Sequence, residues 1–442
     1  MGMKLKNYAP MLGPIQRKLL FFIVIVALGY LAFNIISRFN PAPPRAITFS
    51  SGSAGGAYEQ YAKLYAAELD KRGIKVTVLA STGSLDNYAN LSGDTPKADV
   101  ALVQSGLASA AHIESISGLA AVAYEPVWVF LRQDIRKNVG QSSGAQTLAD
   151  LSTLKLAIPM PNSGSGITLS QLLKAAGLPE TNPLWQAMPP TEAADALDSG
   201  KVQGVFTVSG IQAPVVKRLL ASPHTLMSFA HAPAVSRTMP AFSVVTLPRG
   251  GISQAQDKPS TEVQLLATQA LLVARADLHP ALTYVLLDAA QTIHAGTSAI
   301  HALGVFPNAK TGDLIASDET QRYFKDGKPW LEKVLPFWLA NFIARLLLVL
   351  IPMAAILFPI IKLEPQLEAF IAKRALQPRY FAAHAIEQAF FAEPKQDKPQ
   401  YLAQLSDLEH VSSTTKVPSD HIKDRYALLQ HIAVIKHRIL SA

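Results

Sequence analysis

The amino-acid sequence predicts an α/β fold with two lobes, flanked by two transmembrane helices and followed by a short helical tail. Two observations lead to this prediction. Long apolar segments occupy residues 19–37 and 336–361. Between them, strand patterns alternate with helix patterns, and the alternation begins twice. Such alternation is typical of parallel sheets whose strands are connected by helices.

Composition narrows the classes of protein that this chain can belong to. Its 442 residues are enough for two or three domains. The chain has no cysteine, which excludes disulfides, thiolate metal sites and cysteine nucleophiles. The net charge of +8 is spread thinly, and no Lys/Arg-rich stripe interleaved with aromatic residues is present. We therefore expect no nucleic-acid partner.

The first apolar segment is "LLFFIVIVALGYLAFNII", which carries no charge. Its length is close to the roughly 20 residues that cross a bilayer. A cleaved signal peptide would have a shorter core, about 7–15 residues, followed by a small-residue cleavage site. We expect an uncleaved anchor over residues 19–37. Basic residues precede it, so the positive-inside rule places residues 1–18 in the cytoplasm.

The second apolar segment, residues 336–361, carries one charge, Arg345, and two internal prolines. Prolines are tolerated in membrane helices because neighbouring groups satisfy the freed backbone. Two crossings leave residues 38–335 outside, with the outer domain over 45–335, and return residues 362–442 to the cytoplasm. An apolar stripe at helical spacing predicts a helix in "DHIKDRYALLQHIAVIKHRIL". This helix either packs against "YLAQLSDLE" as a hairpin or docks elsewhere, and the sequence leaves both open.

The sequence of the outer domain predicts two similar α/β units. The first has strands near 46–51, 74–82 and 98–106 with helices between them, and a further strand region at 120–132 that Pro126 is expected to break. The second restarts with a strand at 154–160. We expect lobe 1 over about 45–132 and 237–330, and lobe 2 over about 150–236. Residues 260–296 are expected to form two long helices that break near "LHP".

Five polar loops follow predicted strands, where open parallel sheets bind their ligands. They are "GSAGGAY", "STGSLDN", "QSG", "NSGSGIT" and "VSGIQAP". Backbone N–H groups at helix N-termini suit carboxylate or phosphate oxygens. One such loop alone is more often a simple connection. Their recurrence at equivalent positions predicts a cleft that holds a small anion.

Two nucleotide-binding motifs and one metalloenzyme motif are missing. Ala54 stands where a dinucleotide-binding loop has its second glycine, and no phosphate-binding loop ending in G-K-[ST] is present. The sequence contains no H-E-x-x-H motif and no clustered His/Asp/Glu set. Asp99 and Glu125 are interpreted as residues that end elements rather than as acid–base groups. We expect no catalytic residue, no metal and no cofactor.

The residues resemble a known family at this point. "ITFSSGSAGGAYEQYAKLYAAEL", "STGSLDNYANLSG", "ADVALVQSG", "LKLAIPMPNSGSGITLSQLLKAAGL" and "GKVQGVFTVSGIQAPVVKRLL" look like the TAXI family of TRAP-transporter solute-binding proteins, in its membrane-anchored branch. The resemblance covers about residues 45–440. It implies a type II periplasmic-binding-protein fold, with two α/β lobes that close on a small ligand. Better-known members bind glutamate-like or 2-oxoacid anions and deliver them to a sodium-coupled membrane subunit.

The resemblance also implies the ligand-binding residues. Carried over by motif, they are Ser53, Ala54, Gly55, Gly56, Tyr58, Thr82, Gly83, Ser84, Asn87, Gln104, Ser105, Asn162, Ser163, Gly164, Ser165, Gly166, Ser209 and Gly210. Two positions depart from the family pattern. Glu59 replaces a second tyrosine, and Gly106 replaces an aspartate that ends the third loop. Loss of that acid favours a plain carboxylate over an amino acid.

These inferences predict a membrane-anchored extracytoplasmic solute receptor in a bacterial inner membrane, with its binding domain in the periplasm and both termini cytoplasmic. Its expected partners are a small anionic solute (a dicarboxylate, a 2-oxoacid or an amino acid), the lipid bilayer and a multi-spanning TRAP-type permease. The alternative is a transporter-independent sensor that signals through the tail. A third reading, an enzyme on this fold, is disfavoured by the missing catalytic constellation.

Overall fold

The computed structural model describes residues 14–39, 42–53, 56–135, 145–392 and 397–442. The chain divides into two compact units. The first is an α/β unit, Pro43–Phe337, and the second joins the N-terminal helix to residues 338–442. The outer domain predicted from the sequence covers 45–335.

Strands and helices alternate through the α/β unit. The strands are β1 (Ala46–Ser50), β2 (Lys75–Leu79), β3 (Val100–Gln104), β4 (Ile116–Leu131), β5 (Leu156–Ile158), β6 (Trp185–Ala187), β7 (Gly204–Val208), β8 (Thr225–Leu226), β9 (Ser243–Leu247) and β10 (Val263–Arg275). Helix numbering begins with the N-terminal helix α1 (Pro14–Phe39), which lies outside this unit. The helices of the α/β unit are α2 (Ala57–Asp70), α3 (Ser84–Leu91), α4 (Ala110–Ser115), α5 (Gly164–Ala175), α6 (Pro190–Asp198), α7 (Pro214–Ala221), α8 (Ala232–Thr238), α9 (Pro280–His294), α10 (Asp318–Asp326) and α11 (Trp330–Val334).

The described strands form one mixed sheet in the order β2-β1-β3-β10-β4-β7-β5-β6. In the first lobe, β1 pairs in parallel with β2 and β3, as the predicted β-α-β-α-β unit requires. In the second lobe, β5 pairs in parallel with β6 and β7. Strand β10 is antiparallel to its neighbours β3 and β4. The sheet therefore contains two parallel halves joined through β10 and β4.

Strand β4 passes from one lobe to the other. Its residues from Ile116 to Pro126 pair with β10, and those from Val127 to Leu131 pair with β7. Strand β10 spans the same junction, because its C-terminal half pairs with β3 and its N-terminal half with β9. These two long strands therefore connect the lobes.

Two sequence-based expectations in this region are wrong. Residues 263–275 form strand β10, not a helix, and only 280–294 form one of the two expected helices. Almost every residue of β10 is buried, so both faces are apolar and the period of two that marks a strand is lost. Pro126 does not break β4. It lies where the strand changes partners from β10 to β7, so its missing N–H is tolerated.

The second unit is helical. Its helices are α1 (Pro14–Phe39), α12 (Phe337–Ala392), α13 (Lys398–Ser413) and α14 (Ile422–Ser441). Helix α12 runs 31 residues beyond the expected boundary at 361, with four prolines inside it. Among the described residues, Phe337–Ala355 is long and apolar enough to cross a membrane, and Phe22–Ile35 is a shorter apolar segment. A Cβ added at Gly29 would lie 3.3 Å from the Met353 sulfur, so α1 and α12 are in contact there.

The tail has a hydrophobic core of its own. The C-terminal part of α12 contributes Leu376, Ala383 and Phe390, while α13 and α14 contribute the remaining buried residues, Leu405, Leu408, Leu428, Ile432, Ile435 and Ile439. Ion pairs link Lys436 to Glu409 and Arg438 to Glu387 across these helices. The packing of α14 on α13 agrees with the helical hairpin interpretation.

Candidate functional site

The first candidate loop joins β1 to α2. Ser53 closes a tight turn, in which its carbonyl accepts a hydrogen bond from the Gly56 N–H at 2.9 Å. A Cβ on Gly56 would lie 2.9 Å from that same carbonyl oxygen, so glycine is needed for the turn itself. Ala54 and Gly55 lie outside the described residues. The turn ends at Gly56, directly before the first residue of α2 and two residues before Tyr58.

Tyr58 connects this loop to a buried carboxyl group. Its hydroxyl donates to Glu125 Oε2 at 2.9 Å, and it also hydrogen-bonds Ser84. Glu125 is 5% exposed and lies in β4, beside the junction of the lobes. Burial raises the pKa of Glu125 to about 7, and the Tyr58 hydrogen bond offsets part of that rise. Burial and the Glu125 charge also raise the pKa of Tyr61 to about 12.

The second loop leads into α3. Gly83 has φ 130°, a backbone conformation that favours glycine, and the space where a Cβ would stand is open. Ser84 is buried, and its Oγ accepts the Gln104 N–H at 2.9 Å. Thr82 is exposed and bonds Asp86 through both its N–H and its hydroxyl. The loop therefore holds Ser84 inward and leaves Thr82 at the surface.

Asn87 makes hydrogen bonds within the first lobe. It is completely buried, accepts the Ser50 hydroxyl at 2.6 Å, and donates to the carbonyls of Ser51 and Leu102, each at 2.6 Å. All of these partners belong to β1, β3 or the segment directly after β1. The side chain of Asn87 therefore connects two strands, and its role as a ligand contact stays a prediction.

The third loop follows β3 and reaches the second lobe. Gln104 is buried, and its Nε2 donates to Thr168 Oγ1 of α5 at 2.5 Å. Ser105 Oγ accepts the Gln269 N–H of β10 at 3.0 Å. The Gly106 N–H donates to Asp313 Oδ2 at 2.7 Å. A carboxylate from a distant segment thus lies at Gly106, where the family pattern has an aspartate.

The second-lobe loop before α5 is tightly constrained. Ser163 caps the helix by accepting the Gly166 N–H at 3.1 Å. A Cβ on Gly166 would lie 2.2 Å from the Met160 carbonyl oxygen. Ser165 donates to the Val208 carbonyl at 2.8 Å, which attaches α5 to β7. Ser163, Ser165 and Gly166 are therefore framework positions, and Asn162 is exposed.

Gly164 brings the two lobes together. A Cβ at this position would lie 3.1 Å from Gln104 Oε1 and 3.4 Å from Ser84 Oγ. On the other side of the junction, a Cβ at Gly210 would lie 3.8 Å from the Tyr61 hydroxyl oxygen. The Ser209 carbonyl accepts Trp128 Nε1 at 2.8 Å. The glycines allow close approach of the lobes, so the described conformation is closed at both contacts.

The structure therefore brings together part of the predicted set. Tyr58, Ser84, Gln104, Gly164 and Gly210 lie at the junction of the lobes. Tyr61 and Thr168 were not predicted to lie here, and Glu125, which was interpreted as a residue that ends an element, lies inside β4. Glu125 is the single acidic residue in the apolar run "AAVAYEPVWVFL". An acidic residue in such a run indicates a buried carboxyl group, because the strand that carries it is buried. Nothing in the sequence pairs Thr168 with Gln104.

Among the described residues, no group of three or more His, Cys, Asp or Glu could hold a metal.

The fold and this site define a two-lobed α/β protein whose polar loops converge between its lobes. The chain belongs to the NMT1-like family, whose model matches residues 49–305. A comparison with curated proteins finds no match.

Several solved structures are similar to this chain at low identity. The effector-binding domain of BenM with benzoate is 12% identical, covers 57% of this chain and 94% of its own, and has a TM-score of 0.36. Tv2483 bound to L-arginine is 12% identical, covers 58% and 93%, and has a TM-score of 0.35. The putative periplasmic sulfonate-binding protein SsuA from Methylobacillus flagellatus KT is 17% identical, covers 57% and 68%, and has a TM-score of 0.33.

Proposed function

We propose that this chain is a membrane-anchored extracytoplasmic receptor that binds a small carboxylate solute between its two lobes. The observation that supports this most strongly is the inter-lobe contact of loops from both lobes, in which Gln104 of one lobe donates to Thr168 of the other. The resemblance to TAXI proteins agrees with such a role and adds delivery of the solute to a TRAP-type permease.

The chemistry of the junction favours a small anion. Helices α2, α3 and α5 begin at the candidate loops, and each N-terminus carries a partial positive charge of about half an elementary unit. Ser84 and Gln104 add neutral hydrogen-bonding groups. Among the described residues, the side chains of Tyr58, Ser84, Gln104 and Glu125 make no hydrogen bond or ion pair with lysine or arginine. Recognition would therefore depend on backbone N–H groups and hydroxyls.

Binding is tested with the full-length chain in detergent. Thermal shift and calorimetry against succinate, 2-oxoglutarate and L-glutamate should reveal at least one ligand, while glucose and cadaverine should have no effect. Thr168→Val removes the acceptor for Gln104, and we expect about 2- to 12-fold weaker binding, the equivalent of about 0.5–1.5 kcal/mol. Thr191→Val, at an exposed position of α6, is the matched control. A cationic or neutral solute as the only ligand would contradict the proposal.

Membrane anchoring would involve α1 and α12. Both expose large apolar side chains, among them Phe22, Tyr30, Phe342 and Ile351, each at least 60% exposed. Apolar surface of this extent needs a covering, and lipid provides one. Reporter fusions at residue 10, at residue 200 and at the C-terminus test the topology. We expect a periplasmic signal from residue 200 alone, and a periplasmic signal from the C-terminal fusion would overturn it.

The alternative is a receptor without a transporter, whose tail reports solute binding inside the cell. The separate core formed by α12, α13 and α14 favours this alternative. Uptake of radiolabelled 2-oxoglutarate by cells with and without the chain distinguishes the two roles. A transport role predicts that uptake is lost without the chain and restored by a form truncated after residue 396. Uptake that does not depend on the chain would support the sensor.

A further inference from the structure

Glu125 is a buried carboxyl at the point where the lobes join. It is the residue of β4 that faces Thr268 of β10, and one residue later the strand leaves β10 for the second lobe. Its side chain is buried in the closed conformation. The sheet thus holds the carboxyl close to the first-lobe loops, on the strand that passes into the second lobe.

The groups around Glu125 leave its negative charge poorly balanced. Helix α2 contributes Tyr58, whose hydroxyl donates to Oε2 at 2.9 Å, and Tyr61. Strand β10 contributes Thr268, whose hydroxyl donates to the Glu125 backbone carbonyl at 3.4 Å. Helix α3 contributes Ser84, which bonds Tyr58. Among the described residues, no lysine, arginine or histidine pairs with the carboxyl.

A second negative charge in this region would be opposed by an ionised Glu125. The partial positive charges of the helix N-termini offset part of the negative charge in this region. These partial charges do not change when Glu125 gains or loses its proton. Like charges in a buried site cannot both remain ionised without a large free-energy cost. The pKa of Glu125, raised by burial to about 7, means that a proton is available to this carboxyl near neutral pH.

We propose that Glu125 is a specificity-determining residue of the cleft and that a carboxylate solute binds together with one proton, which comes from solvent and is held on the Glu125 carboxyl. This inference rests on the proposed function and deepens it. In this proposal, the protonation state of Glu125 determines which charge state of the solute can bind. Protonated Glu125 also gains an O–H donor that it can direct to a solute oxygen.

Calorimetry of the full-length chain with 2-oxoglutarate, or with succinate where that binds more tightly, tests the proposal. Titrations run from about pH 6 to about pH 9 in two buffers of different ionisation enthalpy. Neither solute titrates in the upper part of this range. We expect the affinity to fall by about tenfold per pH unit above the pKa of Glu125, with uptake of about one proton per solute bound.

Three variants separate a recognition role from a structural one. Glu125→Gln, a permanently neutral analogue, should bind with no pH dependence and no proton uptake. Glu192→Gln, at an exposed position of α6, should keep the wild-type pH profile. Tyr58→Phe removes the hydroxyl that stabilises ionised Glu125, so the midpoint of the pH profile should move to higher pH. This shift decides the matter if Glu125→Gln does not fold.

Two results would overturn the inference alone: solute binding without proton uptake, or an unchanged pH profile in Glu125→Gln or Tyr58→Phe. Failure of the wild-type chain to bind any small carboxylate would overturn the proposed function as well. The two failures are therefore distinguished by whether the wild-type chain binds a solute at all.

Discussion

Glu125 links the stability of the protein to pH even without a solute. Its pKa rises from 4.5 to about 7 on folding because burial disfavours the charged form. Between these values the native chain keeps a proton that the unfolded chain has lost. The free energy of unfolding therefore falls as the pH rises through this window, by about 3 kcal/mol in total, and the stabilisation is fully present only below the lower value.

Glu125→Gln is expected to remove this pH dependence. Denaturant unfolding of the full-length chain at about pH 5 and about pH 8 measures it, and the wild-type chain should lose more stability between these values than the variant does. Glu192→Gln, which changes an exposed carboxyl, should behave as the wild type. An equal loss of stability in wild type and Glu125→Gln would show that Glu125 is not held neutral by burial.

Gly166 offers a second test at the scale of a residue. A Cβ there would lie 2.2 Å from the Met160 carbonyl oxygen, a backbone atom that cannot move aside alone. We expect Gly166→Ala to lower the free energy of unfolding by about 1–3 kcal/mol. Gly296→Ala is the matched control, because no heavy atom lies within 4 Å of its added Cβ. Equal stability of the two variants would mean that the loop before α5 is not as tight as described.

The role of an individual residue in the site could be predicted from the sequence only in part. The motif pattern predicts Tyr58, Ser84 and Gln104 as ligand contacts, and these residues lie at the junction of the lobes. The pattern cannot distinguish a residue that faces a solute from one that bonds within the protein, as Asn87 does. That distinction depends on which carbonyls lie opposite a side chain in the folded chain, and local spacing does not encode it.

At the scale of elements, strand order and long-range pairing were the least predictable features. The first parallel unit could be read from alternating patterns because its strands and helices follow one another. Strand β10 could not, since it is buried on both faces between β3 and β4, from which it is separated by more than 130 residues. A buried apolar run has no period that separates strand from helix.

The tail helices give a test at this scale. Ile432 is completely buried in the core of α12, α13 and α14, whereas Val434, two residues away on α14, is 57% exposed. We expect Ile432→Asp to unfold the tail, because the substitution removes core packing and buries an unpaired charge. Val434→Asp should leave it folded. Limited proteolysis of residues 398–442 measures the difference, and equal resistance of both variants would contradict the core assignment.

At the scale of the whole molecule, the chain combines an α/β unit of the NMT1-like family with a helical unit. The outer domain was predicted over 45–335 because the apolar segments contrast strongly with the mixed composition of the residues between them. The sequence did not predict that α12 continues without interruption to Ala392. Four prolines made an earlier end reasonable, yet each is accommodated within one helix.

The central claim is that a small carboxylate closes the two lobes on each other. Because the chain has no cysteine, spin labels can be placed at Glu114→Cys on lobe 1 and Lys174→Cys on lobe 2, both exposed positions. Distances between the labels are then measured by double electron–electron resonance, with and without 2-oxoglutarate or succinate. We expect a broad distribution without solute that narrows to a single shorter distance with it, and a weaker response in Thr168→Val. An unchanged distribution at solute concentrations where calorimetry detects binding would contradict it.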